Sequence, residues 1–558
     1  VSCTYFSDGS LESLTDASGK PVFYEYDWRG NLSAVKDGNG ETLAAYAHTP
    51  GGRLKEIRHG NGIRTGYEYD TDGNLVHLHM EHTDGEILAD LYYSHDLNGN
   101  RTLKSGSRIG GEGKATEHEV SYVYDRMDRL VSETRQGEKT AYVYDLCGNR
   151  LKKLDKSGTE EYHYNQKNQL TSRRSCGEHI TYTYDQQGNL LEAAGAEGRT
   201  VFAYNVFHQQ TAVTMPDGKY LENRYDAEYL RAGMVENGVD KVFLYYNGEL
   251  LAESDPSGKI VSRYILGYGV AAGWNREKNG YHYYHLDEQN STAYITGRSG
   301  GIENRYEYDA FGVIQNSREE LPNRILYTGQ QYDQTSGQYY LRARYYNPVL
   351  GRFVQEDEYR GDGLNLYAYC KNNPVVYYDP SGFSSVFPNN VYTNDNTNPD
   401  SYIDPARIPG VDIGKIRNKA GIVTGNFTST VPLNSSKIRS DDFSTISIPP
   451  EIAQKLVGKQ FNSMNDFRSA LWKEIGNSKY AKEFCPSSQK AMKKGFAPYA
   501  PNSQKHGGLY GGRYSIDHEI ELQDGGYLYD MDNMTIRSPG SHNKKSQEEK
   551  KKRKDCKS

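Results

Sequence analysis

Aromatic and polar positions alternate through most of the first 310 residues, in a phrase that keeps returning. It reads YEYDWRGNL at 24–32, YEYDTDGNL at 67–75, YVYDRMDRL at 122–130, YVYDLCGNR at 142–150, YHYNQKNQL at 162–170 and YTYDQQGNL at 182–190. Two tyrosines separated by one residue lie on one face of a strand, because successive side chains point to opposite sides. The Asp or Asn that follows bonds its own backbone, and the Gly or Asn after it tolerates positive φ, so the phrase breaks into a turn. A Leu or Arg then opens a return strand. Asp125, Asp145, Asn165, Asp185 and Asn205 follow one another every 20 residues, a period that marks stacked supersecondary units. Each unit is expected to be a hairpin whose tyrosines stack on those of its neighbours, since one hairpin alone buries too little to be stable.

The pattern then changes. From Tyr281 it runs YHYYHLDEQNSTAYIT, then YEYDAFG at 306–312, YTGQQYDQTSGQYYLRARYYNPVLGRF at 327–353 and NLYAYCKNNPVVYYDPSGF at 365–383. Residues 384–410 are rich in Asn, Asp, Ser and Pro, and the tyrosine repeat stops there, which reads as a linker. Beyond Ile448 the period lengthens. Pro449-Pro450-Glu451 suits a first helical turn, and Phe467, Leu471, Trp472 and Ile475 recur at helical spacing. In GGRYSIDHEIELQDGGYLYDMDNMTIRSPGSH (511–542) an apolar strand leads to Asp517-His518, Gly525-Gly526 makes a turn, a second short strand follows, and a segment runs from Asn533 to His542. That order is the ββα-metal layout, two strands carrying the first ligands and a short helix the last.

Composition agrees with a chain dominated by strands. There are 49 Tyr against 15 Phe and 3 Trp, with 57 Gly among 558 residues, a mixture that fits aromatic strands and glycine turns and not a helical bundle. A chain this long is expected to form at least two domains. No apolar run approaches the ~20 residues that span a bilayer as a helix. Val1 stands where Met would, with the repeat under way by Tyr5, so the chain reads as the C-terminal piece of a longer protein. Six cysteines (Cys3, Cys147, Cys176, Cys370, Cys485, Cys556) lie far apart with no CxxC, which argues against a zinc ribbon or a disulfide framework. The net charge of -7 is unevenly placed: from Val411 onward 25 Lys+Arg face 16 Asp+Glu, leaving 41 against 57 in the remainder, or +9 against -16. A basic end on an acidic body points to a polyanion partner for that end alone, although the run KKKRKDCK at 550–557 also reads as a solvated tail.

The repeated phrases resemble the YD repeats of the RHS family, and 281–383 is similar to the RHS-associated core. The resemblance implies a large β-sheet shell that encloses its own C-terminal toxin. Members of the family that cut themselves carry DPxG, eighteen residues, and DPxG, the two aspartates acting as an acid/base pair. Here Asp357-Glu358-Tyr359-Arg360 precedes eighteen residues and then Asp379-Pro380-Ser381-Gly382, so the spacing is kept while the first Pro and Gly are absent. Self-cleavage is accordingly expected near Phe383, by Asp357 and Asp379, against the plain alternative that 379–382 is only a turn.

Residues 448–542 resemble the nuclease domain of colicin and pyocin DNases and the wider HNH toxins, through IPPEIAQKL, FNSMNDFRSALW, KKGFAP, GGYLYDMDN and SPGSH. The resemblance gives His518 the role of general base, Asn533 that of bracing the loop and orienting the base, and Asp517 and His542 those of metal ligands. Arg513 would clamp phosphate. Colicins carry histidine where Asp517 stands and a further histidine where Ser546 stands, so harder oxygen ligation is expected and Mg²⁺ is favoured, with Zn²⁺ or another transition metal as the alternative. The expected architecture is mostly β: repeats over 1–310, core over 311–383, linker and start of the toxin over 384–447, an α+β HNH domain over 448–546, and a basic tail over 547–558. The expected function is an exported interbacterial toxin cutting DNA with a divalent metal, held in check in its producer by an immunity protein and acting in the target-cell cytoplasm. Two other readings stay open: a cell-surface carbohydrate-binding repeat protein with an inactive tail, and an RNase toxin.

Overall fold

The computed structural model describes residues 1–110, 113–358, 365–386, 421–423, 446–461, 464–484, 486–498, 515–518 and 534–537. They divide into two compact units, one built from the repeats and the segment that follows them, the other from the last part of the chain.

The first unit holds a 30-stranded sheet. Every strand pairs antiparallel with the next in sequence, from Ser2–Tyr5 with Leu11–Thr15 to Ile302–Tyr308 with Ile314–Glu319. The unit around Asp145 shows how the sequence dictates this. The strand Glu138–Tyr144 turns at Asp145, whose backbone N–H donates to Asn149 O (3.0 Å) while its carboxylate accepts from the Asn149 backbone (2.8 Å) and side chain (2.9 Å). Gly148 supplies the positive φ (79°), and Arg150–Asp155 returns. Pairing shifts register between Val143 and Tyr144, a bulge that recurs at the second tyrosine of successive units. The first aromatic of each pair is buried (Tyr122, Tyr142, Tyr162, Tyr182, Phe202), as is the residue that opens most return strands (Leu130, Leu170, Leu190).

The second tyrosine differs from expectation. In three units its hydroxyl reaches the main chain of the preceding hairpin, Tyr124 donating to Arg101 O (2.6 Å), Tyr164 to Arg150 O (2.8 Å) and Tyr225 to Gln210 O (2.7 Å), whereas the hydroxyls of Tyr69, Tyr144 and Tyr204 are buried without such a bond. At those units adjacent hairpins are joined through a polar tip that phenylalanine lacks. Ring-on-ring contacts gather instead between 327 and 369, as in Tyr346 on Tyr369 (centroids 3.9 Å apart) and Tyr340 beside Tyr345 (5.3 Å).

That later segment forms a small four-stranded sheet, Gln331–Asp333, Gln338–Leu341, Arg344–Asn347 and Arg352–Phe353, and ion pairs buried from water tie it to the large one. Arg231, fully buried, donates to Asp333 (2.6 Å) and to Gln331 (3.1 Å), while Arg324 bridges Asp333 (3.3 Å) and Glu253 (3.1 Å). Early and late strands meet at Glu288, which accepts from Arg101 (3.0 Å), Lys104 (2.9 Å) and Tyr93 (3.0 Å).

In the second unit a short helix, Pro450–Ala453, starts on proline where no N–H is needed. The helix Met464–Gly476 buries Phe467, Leu471, Trp472 and Ile475, as its apolar spacing predicts. It packs against the helix Pro486–Lys493 so closely that a Cβ on Gly476 would come within 2.7 Å of Lys493 N. That second helix ends in a Schellman cap, Gly495 N–H donating to Met492 O and Phe496 N–H to Ala491 O (2.7 and 3.1 Å), with Gly495 at φ +87°.

Candidate functional site

Two places gather the chemistry expected from the sequence. In the second unit, the strand Ser515–His518 ends on Asp517 and His518 and pairs antiparallel with Met534–Arg537. Asp517 faces Thr535 and His518 faces Met534, so the backbone immediately after Asn533 lies opposite the proposed base. The strand paired with Ser515–His518 begins one residue after Asn533, where Thr535 and Ile536 supply β-branched side chains, while the short strand expected between Gly526 and Asn533 lies outside the described residues. The other edge of Met534–Arg537 pairs with Ile446–Ser447, which had read as linker. Ile536 is 1% exposed and joins Ile452, Leu456, Phe467, Trp472 and Met492 in one apolar core, so the strand that registers His518 is pinned to the helical layer. Asn533, His542 and Arg513 lie outside the described residues.

In the first unit, Asp357 and Asp379 come together around a residue that sequence reasoning missed. Arg344 Nη2 lies 2.7 Å from Asp357 Oδ2 and 3.8 Å from Asp379 Oδ2, all three groups being buried. The guanidinium lies 3.6 Å from the Phe353 ring centroid, and Nη1 donates to Leu366 O (3.0 Å). Its Nε–H donates to Gly382 O, and Arg342 donates to Pro380 O. Asp379 Oδ1 in turn accepts from the backbone N–H of Gly382 (2.8 Å) and Ser381 (3.1 Å), and Ala343 N–H holds Ser381 O (3.1 Å). Gly382, at φ +77°, is pressed against this strand: a Cβ there would meet Leu341 O at 2.5 Å. Tyr378 and Val386 then exchange backbone hydrogen bonds (3.0 and 2.8 Å), closing the loop. The turn at 379–382 is therefore real, and it also delivers its aspartate to a second carboxylate across a shared cation. The only sequence signal for Arg344 was an Arg set in a tyrosine-rich stretch, RARYY.

Residues 111–375 match the family described as Teneurin YD-shell, and residues 414–549 match that described as Colicin/Pyocin-S2, DNase domain. The chain thus joins a segment of the YD-shell type to a domain of the colicin/pyocin DNase type. The DNase match takes in both strands of the Asp517–His518 hairpin and the helical core beneath it. Among curated proteins, the chain is 35% identical over 185 residues to the tRNA3(Ser)-specific nuclease WapA of Bacillus spizizenii, covering 31% of the chain and 8% of WapA. It is 32% identical over 140 residues to pyocin-S2 of Pseudomonas aeruginosa, covering 25% of the chain and 18% of the pyocin. The chain thus spans less than a fifth of the length of either relative. Among solved structures, the TcdB2–TccC3 crystal structure without its hypervariable C-terminal region superimposes with a TM-score of 0.54 at 20% identity, over 68% of this chain and 21% of that one, a likeness of fold.

Proposed function

We propose that this chain is an exported toxin of the RHS type whose C-terminal domain hydrolyses DNA. The observation that carries this is the hairpin of Asp517–His518 on Met534–Arg537, seated on the helical core inside the segment that matches the DNase family. His518 takes the proton from the attacking water, imidazole being the side chain poised to do so near neutral pH. Asn533, one residue before the strand paired with His518, orients that base, and Arg513 neutralises a phosphate oxygen. Asp517 and His542 would hold a divalent ion, and the carboxylate in this donor set favours Mg²⁺ over Zn²⁺; bound there, the ion supplies positive charge to the scissile phosphate. The excess of Lys and Arg after Val411 would hold the nucleic-acid backbone. An RNA substrate is the second reading, favoured by the printed name of WapA, whereas the family matched over 414–549 favours DNA.

Release fits the Asp357–Arg344–Asp379 cluster. Arg344 Nε–H on Gly382 O would polarise the carbonyl of the bond before Phe383, with the two carboxylates beside it to handle water and proton. A cell that makes such a nuclease needs an immunity protein against it, so one belongs to the proposal, as does action inside a target cell. Among the described residues no helix is long and apolar enough to cross a membrane. The test is to incubate the purified chain and its released C-terminal piece with plasmid and with tRNA, with and without EDTA. Metal-dependent loss of plasmid is expected. Full activity in excess chelator would remove the metal from the account, and cleavage of tRNA alone would replace DNA by RNA.

A further inference from the structure

Away from both sites, the outer side of the strand Leu75–Glu81 carries a group with no part in the nuclease. Leu78 and Met80 point into the apolar core, whereas His77 and His79 occupy the opposite face. The next strand, Ile87–His95, places Asp90 directly across from His79. His77 Nε2 and His79 Nδ1 lie 2.6 and 3.0 Å from the same oxygen, Asp90 Oδ1, and the three ligand atoms all fall within 4.8 Å of one another. Tyr92 stacks flat on His77 (4.3 Å, 6°) and fixes its ring plane.

The remaining ring nitrogens make the arrangement informative. His79 Nε2 lies 3.3 Å from Glu81 Oε2, itself paired with Arg64 (3.0 Å), and His77 Nδ1 lies 3.6 Å from Glu68 Oε1. All four imidazole nitrogens therefore face carboxylate oxygens. A divalent ion would take His77 Nε2, His79 Nδ1 and Asp90 Oδ1, leaving the other nitrogen of each ring to donate outward to Glu68 and Glu81. An imidazole that binds a metal through one nitrogen and donates through the other to a carboxylate is the usual outer-shell arrangement. Across the sheet from His79 stands Gly66, where a Cβ would meet nothing closer than 4.0 Å, leaving room for a solvent ligand at a fourth position.

We propose that His77, His79 and Asp90 form a binding site for a divalent transition-metal ion of the Zn²⁺ class, clasping two adjacent strands of the shell. Small rotations bring the three atoms to the ~2.0–2.2 Å expected of Zn²⁺ with N and O ligands. The two histidines share a face because they are two residues apart on a strand, and the strand register supplies the carboxylate.

The experiment uses the whole purified chain with ZnCl₂ as the probe. Diethyl pyrocarbonate labelling read by peptide mass spectrometry reports His77 and His79 on their own peptide, separately from His518 and His542, so failure here and failure of the nuclease reading are distinguishable. Zn²⁺ should protect His77 and His79 from labelling, and equilibrium dialysis should show one equivalent fewer of bound Zn²⁺ for His77→Ala and for Asp90→Asn than for the unsubstituted chain. Glu68→Gln and Glu81→Gln should weaken binding by about 10- to 100-fold. Equal labelling with and without Zn²⁺ in the unsubstituted chain would overturn the proposal without any variant having to fold. So would undiminished stoichiometry in a folded Asp90→Asn chain, leaving the histidines as protonated partners of the carboxylates.

Discussion

Replacing Arg344 by Met removes the cation that the described residues place between Asp357 and Asp379 while keeping most of the side chain's length over Phe353. At an effective dielectric constant of about 20, charges 2.7 and 3.8 Å apart attract by about 6 and about 4 kcal/mol before desolvation is subtracted. Removing one partner of a buried pair leaves the other charge stranded and typically costs about 3–5 kcal/mol. The loss should fall on the loop 379–386, because Arg344 also donates to Gly382 O and Leu366 O. Hydrogen exchange reads that loop locally, at Ala343 N–H on Ser381 O and Val386 N–H on Tyr378 O. At about 1.4 kcal/mol per tenfold, Arg344→Met should speed exchange there by two to three and a half orders of magnitude and leave amides near Leu14 unchanged. Asp357→Asn combined with Arg344→Met should be less damaging than the sum of the two, since the carboxylate nearest the lost cation no longer carries a charge, and Asp379→Asn should couple more weakly, in line with its longer distance. Equal exchange in Arg344→Met and the unsubstituted chain, or strict additivity with Asp357→Asn, would refute the view that this cation holds the loop.

Asp379→Asn should also leave the chain as one band on a denaturing gel, whereas the unsubstituted chain should yield a piece of about 175 residues (558 − 383); an unsubstituted chain that never divides would rule self-cleavage out. Ile536→Ala should cost the second unit about 2–5 kcal/mol and nuclease activity with it; a fold and activity unchanged in thermal melts and plasmid assays would show that the core does not pin the Asp517–His518 hairpin. Glu253 is pushed down to about 2 from an ordinary 4.5, burial raising it and Arg324 and Lys241 more than offsetting that. Its folded value is the lower one, so its stabilisation is complete above about pH 4.5 and is lost as pH falls toward 2, about 3 kcal/mol in all. The gap in unfolding midpoint between the unsubstituted chain and Glu253→Gln should therefore close with acid, and parallel curves would contradict it.

What the sequence made legible was local. The turn at Asp145 follows from an Asp, a Gly and an Asn within five residues, and the buried face of Met464–Gly476 follows from helical spacing. The pairings that hold the shell together were not legible, because they join residues far apart with no periodic signal: Arg231 to Asp333, Glu288 to Arg101 and Lys104, and Arg344 to two aspartates already under suspicion. The tyrosine hydroxyls show the same limit. Period gave their face, but only the neighbouring hairpin reveals the carbonyl that Tyr164 reaches. In the nuclease domain the motif gave the residue types, and the pairing of His518 with Met534 came from the register of two strands separated by fifteen residues of sequence (519–533).

The measurement that tests the central claim most directly is plasmid cleavage by the C-terminal piece from residue 411, comparing His518→Ala with the unsubstituted protein at saturating Mg²⁺. Loss of a general base should slow cleavage by about 10²–10⁴-fold, with DNA binding retained because phosphate contacts to the basic surface are untouched. Extra metal should partly rescue His542→Ala and should not rescue His518→Ala. Near-unchanged cleavage by His518→Ala would contradict the account.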